Sequence, residues 1–242
     1  MEHKIGSPLY IYDEVTSTFD KAAEFEPAHG LTVAAKSQTS GRGRLGRQWQ
    51  SDKGGLYMSI YLATDATIEG CGRMTSLCAV AVAKALSRYG NCHIKWPNDI
   101  VMNGKKICGI LTKSCIQEGK APYACVGIGI NANNTDFPDE LRYASSIVLE
   151  TGTECNLEEL MQSIFDNIEK SYKLTHTEIM HQYRELCITL GSEILVHQSD
   201  GTIIQGMCTG INHIGELTVR TEDKCITVNS GEVSVRGLYG YV

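Results

Sequence analysis

The chain predicts an α+β protein in two parts, a body of helices and strands followed by a small all-β unit. Three features predict it. Apolar runs of strand length, such as Leu56–Leu62 and Ala124–Asn131, are interspersed with amphipathic helical stretches. An Asn103-Gly104 pair sits between two such runs and marks a tight β-hairpin. From about Leu190 the texture changes to short strands split by turn residues.

Each element follows from local pattern. Ile5–Tyr12 reads as a strand, and Ser17 with Asp20 three residues on reads as a helix start. Leu31–Ser37 is β-prone and leads into a glycine–arginine loop at Gly41–Arg47. Leu56–Leu62 follows as a strand. Arg73–Tyr89 predicts a helix apolar nearly all round (Met74, Leu77, Val80, Ala81, Leu86), stopped by Gly90 and buried against a sheet. Ile94–Trp96 is a strand ended by Pro97, and Ile100–Met102 and Lys106–Lys113 form the hairpin arms. Asn156 with Glu159 caps a helix that carries Leu157, Leu160, Met161, Ile164, Phe165 and Ile168 on one face. Ile179–Leu186 continues the helical character. Glu193–His197, Thr202–Gly206, Glu216–Thr221, Cys225–Asn229 and Val233–Val235 predict a small barrel or sandwich, which puts a domain boundary near residues 186–190.

Composition narrows the function classes. With 242 residues, 42% hydrophobic and 21% charged, the chain can bury a substantial core. A net charge of −6 gives no general attraction to nucleic acid or anionic membrane. The opening residues lack a continuous apolar signal region, and no run is long enough to span a bilayer. Ten cysteines without a C-x-x-C pair read as free thiols in a reducing cytosol, not as a metal site or a disulfide framework.

The densest chemical signal is Gly41-Arg42-Gly43-Arg44-Leu45-Gly46-Arg47. Glycines let backbone N–H groups approach a ligand closely, and arginines supply forked donors for phosphate or carboxylate. The run also matches G-x-G-x-x-G, but loop and strand follow it instead of a helix, which argues against a dinucleotide fold. A second cluster is Lys95-Trp96-Pro97-Asn98-Asp99. Asp99 reads either as an Asx turn or as a carboxylate that helps hold Mg²⁺ beside substrate phosphates. Lys106 reads either as a solvated edge lysine or as an inward cation met by an anion. Gly109, Gly127 and Gly129, with Asn131 at the strand end, fit close approach of a ligand or tight helix–sheet packing. Together these features describe a flat apolar acid lying on a sheet, with cations at its carboxylate end.

These segments, with Lys106-Ile107-Cys108-Gly109-Ile110-Leu111 and Gly127-Ile128-Gly129-Ile130-Asn131, closely resemble those of biotin protein ligases. Gly231-Glu232-Val233-Ser234-Val235-Arg236 resembles that family's C-terminal signature, so the likeness covers nearly the whole chain. The resemblance implies a mixed β-sheet catalytic domain flanked by helices at 1–187 and an SH3-like β-barrel at 188–242. It implies that biotin and ATP give biotinyl-5′-AMP, and that the biotinyl group then passes to a lysine of a biotin carboxyl carrier protein or domain. On it, Ser17, Thr18, Gln38, Gly41, Arg42, Gly43, Arg44, Lys106, Gly109, Leu111, Gly127 and Gly129 surround biotin. Arg42, Arg44, Arg47, Trp49, Asn131 and Lys106 meet ATP or the adenylate, and Asp99 sits near Mg²⁺. Lys106, Arg44 and Arg47 carry the catalytic charge. The likeness departs at Phe19, where the family has asparagine. Ser17 lies too near the start for a preceding helix-turn-helix, so the expectation is a cytoplasmic enzyme that binds neither DNA nor membrane. A sheet-edge homodimer is compatible with the resemblance. The alternatives are a lipoate–protein ligase and a non-catalytic biotin-sensing regulator.

Overall fold

The computed structural model describes residues 4–230, 233–237 and 241. Seven strands form one mixed sheet: β1 (Leu9–Val15), β2 (Thr32–Gln38), β3 (Leu56–Ala63), β4 (Cys92–Lys95), β5 (Asp99–Met102), β6 (Lys105–Gln117) and β7 (Lys120–Ile130). Their order is β1-β2-β3-β7-β6-β5-β4, with β1 parallel to β2 and the other neighbours antiparallel. The helices are α1 (Thr18–Ala22), α2 (Ile68–Leu86), α3 (Ile147–Thr151), α4 (Leu157–Tyr172) and α5 (His176–Leu186). A second sheet holds β8 (Glu193–Gln198), β9 (Ile203–Ile211), β10 (Leu217–Arg220), β11 (Cys225–Val228) and β12 (Val233–Gly237). It is antiparallel, in the order β11-β10-β9-β8-β12. Its end strands β11 and β12 do not pair with each other among the described residues, so the sheet stays open where a closed SH3-like barrel was expected.

Strand alternation decides which face of the large sheet is solid and which is hollow. On β3, Leu56, Met58, Ile60 and Leu62 join the main core, which also takes in α2 and α4. On β7, Ala124, Val126, Ile128 and Ile130 do the same. The opposite parity, Tyr61 and Cys125, packs with Phe19, Ala22, Leu31 and Val33 under α1. Beyond α1 that second face runs on into Gly127, Gly129, Gly109 and Leu111, which line a cavity. The glycines are therefore the hollow continuation of an otherwise packed face.

Several boundaries differ from the sequence expectation. β1 begins at Leu9, not Ile5, and Ile5 is instead buried at 3% exposure in the main core. Helix α2 begins at Ile68, before the expected Arg73, because Thr67 caps it by accepting from Gly70 N. Gly70 and Gly72 in its first turns hide the apolar period. The hairpin turn is as read, with Asn103 and Gly104 both at positive φ (50° and 76°). β6 and β7 run further than expected, to a second turn at Glu118-Gly119, likewise at positive φ (48° and 74°). The short helix α3, capped by Ser146, was not foreseen.

The division expected at 187/188 falls between α5 and β8. Hydrophobic packing runs across it as one cluster, with Ile194, Val196, Leu217, Val219 and Val235 in the same core as Leu77 and Ile94. Polar ties cross as well: Trp96 Nε1 donates to the Gly215 carbonyl at 2.8 Å, and Arg184 Nε donates to that of Ile211 at 2.8 Å.

Candidate active site

The cavity on the open face of the large sheet has a volume of about 460 Å³, the size of a small-molecule site. Its floor is built from β6 and β7, where Gly109 and Gly129 are register partners. A Cβ on Gly109 would fall 2.7 Å from Trp49 Cζ3, and one on Gly129 would fall 2.6 Å from Trp49 Nε1. The indole therefore rests against both glycines, which can carry no side chain without displacing it. A Cβ on Gly127 would fall 2.3 Å from Phe19 Cε2. Phe19, the residue at which the resemblance departs, thus covers the third glycine and has the Lys113 ammonium 4.6 Å from its ring centroid.

One end of the cavity is polar and tightly wired. Ser17 is buried as the N-cap of α1, its Oγ accepting from Phe19 N at 3.2 Å. Thr18 N donates to Gln38 Oε1 at 2.8 Å, and Ser59 Oγ donates to Thr18 Oγ1 at 2.8 Å. Gln38 Nε2 donates to Ser51 Oγ at 2.7 Å. Thr18 and Gln38 line the cavity; Ser17 lies behind them and borders a shallower acidic cleft beside β1 instead.

The glycine–arginine loop arches over the floor. Its base is closed by Trp49 N donating to Gly41 O at 2.9 Å, and a Cβ on Gly41 would strike Trp49 O at 2.4 Å. Its tip is a tight turn in which Gly43 N donates to Arg47 O at 2.7 Å and Leu45 and Gly46 take positive φ (55° and 72°). Gly43 and the three arginines face the cavity, whereas Gly41 shapes the base without lining it. Arg42 pairs with Asp20, and Arg44 donates to Asn98 Oδ1 at 3.0 Å and to the Ser230 carbonyl. Burial lowers the pKa of Arg44, opposed by Asp99.

At the other end stands Lys106. A register shift between Ile100 and Val101 on β5 leaves Ile107 as an extra residue on β6. That bulge brings Lys106 to the same cavity as Gly109 and Leu111, whereas unbroken alternation would turn it away. Lys106 Nζ lies 2.6 Å from Asp99 Oδ1 and 5.0 Å from the Trp49 ring centroid. The anion foreseen for an inward lysine is thus Asp99. Asp99 Oδ1 makes no aligned hydrogen bond, while Oδ2 accepts from the Tyr241 hydroxyl. Burial pushes the Asp99 pKa up, but the Lys106 and Lys95 ammoniums outweigh it and hold it below its usual value. Asn131, only 5% exposed, lines the cavity and also donates through Nδ2 to the Ser145 carbonyl at 3.0 Å.

Residues assigned no role in the site from the sequence complete the wall. Lys95 is 5% exposed, donates to the Val235 carbonyl at 2.7 Å and lies 4.3 Å from the Tyr241 ring centroid. Tyr143, Tyr241 and Arg236 also line the cavity. Lys95 stood in a noted motif, but no spacing rule links residue 95 to residues 235 and 241. Gly231 and Glu232 of the C-terminal signature lie outside the described residues.

A glycine-floored slot with fixed cations at one end, set on a mixed sheet and closed by a β-only unit, defines an enzyme class that holds an apolar acid while its charged end reacts. Similarity to known proteins narrows it. The chain belongs to the biotin/lipoate A/B protein ligase family, whose profile matches residues 11–131, and the biotin protein ligase C terminal domain matches residues 189–236. The bifunctional ligase/repressor BirA of Bacillus spizizenii is 33% identical over 96% of this chain and 75% of its own length. The biotin–[acetyl-CoA-carboxylase] ligase of Mycobacterium tuberculosis is 24% identical, over 88% of this chain and 82% of its own. The biotin protein ligase from Aquifex aeolicus, solved in complex with biotin and ATP, superposes with a TM-score of 0.83 at 28% identity, over 95% of this chain and 98% of that one.

Proposed function

We propose that this enzyme activates biotin with ATP to biotinyl-5′-AMP and transfers the biotinyl group to a lysine of a biotin carboxyl carrier protein or domain. The observation that carries the reading is Lys106, held against Asp99 in a glycine-floored slot whose lining also includes Arg44 and Arg47. In the first step a biotin carboxylate oxygen attacks the α-phosphorus, a P–O bond forms, and pyrophosphate leaves with the electrons of the broken bond. Two anions must meet, so positive charge at the reacting centre is the main requirement. Lys106 supplies it by exchanging Asp99 for the carboxylate and phosphate, and Arg44 and Arg47 face the same space. In the second step the carrier's amine attacks the acyl carbon, loses a proton and expels AMP. No enzymic nucleophile is needed.

The loop of Gly41–Arg47 and Trp49 serves as the cover, keeping water from the acyl-adenylate. Thr18 and Gln38, with Ser17 behind them, hold the polar end of the ring system, and Leu111 with Gly109 and Gly129 holds its apolar faces once the Trp49 indole that rests on those glycines lifts off them. Mg²⁺ brought by ATP would be held mainly by phosphates, with one or two carboxylates from the protein. Asp99 fits that part, because its Oδ1 is buried, faces the cavity and has no aligned hydrogen bond. No cluster of three His, Cys, Asp or Glu side chains suited to a resident metal occurs among the described residues. When bound, the ion adds positive charge at the phosphates. No described helix is long and apolar enough to cross a membrane.

Exchange of labelled pyrophosphate into ATP tests the reading. Biotin should drive the exchange and lipoate should not; exchange driven by lipoate would favour a lipoate ligase. Biotin binding without exchange would favour a sensor. Purified carrier domain should then become labelled when biotin, ATP and Mg²⁺ are all present.

A further inference from the structure

Tyr241 lies outside every motif that marked the site, yet it reaches the middle of the cationic end. Its hydroxyl donates to Asp99 Oδ2, while Asp99 Oδ1 faces Lys106 Nζ at 2.6 Å. One buried carboxylate is thus shared between a phenol and the reacting ammonium. The phenol is itself held on several sides. Its ring stacks with Tyr143, centroids 5.5 Å apart at 25°. The Lys95 ammonium sits 4.3 Å from the ring centroid and is anchored on the Val235 carbonyl at 2.7 Å.

We propose that Tyr241 is a positioning residue for adenylate formation, acting through Asp99 on Lys106. This rests on the adenylation reading above. A donor on Oδ2 fixes the rotation of the carboxylate and so the place where Oδ1 holds the lysine. It also draws off part of the carboxylate's charge, so that Lys106 can leave Asp99 for the substrate anions. Without the phenol, Oδ2 is a buried acceptor lacking this partner. The carboxylate then turns to engage its neighbouring ammoniums more closely, and Lys106 is held back from the slot.

Tyr241→Phe removes the hydroxyl and keeps the ring, with its Tyr143 and Lys95 contacts. The expected result is biotin-dependent pyrophosphate exchange slowed about tenfold. The KM for biotin and the rate of transfer from supplied biotinyl-5′-AMP should stay at wild-type values. Combined with Asp99→Asn, Tyr241→Phe should add no further loss, because its effect passes through that carboxylate. Wild-type exchange in Tyr241→Phe would overturn the proposal. So would equal losses in both half-reactions and in biotin affinity, which would mark a merely structural side chain. If the wild-type chain itself exchanged nothing, the adenylation reading would fall first and this inference with it; an active wild type beside an unaffected variant sinks only the inference.

Discussion

Lys95 shows how burial and charge compete at a single atom. Burial lowers its pKa from the ordinary 10.5 to about 8, opposed by Asp99 and reinforced by Lys106, Arg236 and Arg44. A folded value below the unfolded one means the unfolded chain holds the proton more tightly. The stability penalty of a charged Lys95 is therefore present below about pH 8 and relieved as pH rises toward 10.5. Thermal unfolding of wild type and Lys95→Met across that window should show the wild type gaining on the variant; parallel curves would contradict this. At Lys106 the effect is on chemistry. Lys106→Ala should abolish adenylate formation in a single-turnover assay while leaving far-UV circular dichroism intact. Turnover like that of wild type would remove Lys106 from the mechanism. The sequence showed both lysines in unusual company. It did not show that Asp99 is the partner of Lys106, because the bulge at Ile107 that brings them together has no signature in residue type.

At the scale of elements, polar punctuation was legible and length was not. The Asn103-Gly104 turn and the caps at Ser17 and Asn156 are where local chemistry places them. The start of α2 and the far ends of β6 and β7 were missed, because Gly70, Gly72 and the Glu118-Gly119 turn read as interruptions. Ser17→Ala removes the acceptor for Phe19 N that caps α1 and should cost about 1 kcal/mol in denaturant unfolding, with weaker biotin binding because the helix start that carries Thr18 is loosened. No change in either would make the cap incidental. Gly109 and Gly129 were ambiguous between ligand approach and packing, and the structure resolves it as close approach by Trp49. In Gly129→Ala the added methyl should displace that indole, seen as a red shift in tryptophan emission; the other tryptophan, Trp96, is 1% exposed and held by its Nε1 hydrogen bond to the Gly215 carbonyl. Unshifted emission would mean the indole does not rest there. Arg42→Gly should loosen the loop and raise released biotinyl-5′-AMP, measured as label on bystander lysines; no rise would deny Arg42 that role.

For the whole molecule, a net charge of −6 coexists with a site where cations converge, so the charge that matters is local. The change to a second, all-β sheet was legible from texture alone. That the second part supplies a wall of the cavity through Val235, Arg236 and Tyr241 was not, since such contacts join residues far apart in the chain. With one core running through both parts, near-UV circular dichroism and tyrosine fluorescence should report a single coincident unfolding transition. Two separated transitions would show independent units. A crystal structure with a non-hydrolysable biotinyl-adenylate analogue reaches the main claim most directly. Lys106 Nζ should lie about 2.7–3.2 Å from an oxygen at the acyl–phosphate junction, with Arg44 or Arg47 on the same group and the bicyclic ring over Gly109 and Gly129 in place of the Trp49 indole. An analogue bound with Lys106 still on Asp99 and the loop arginines turned to solvent would contradict it.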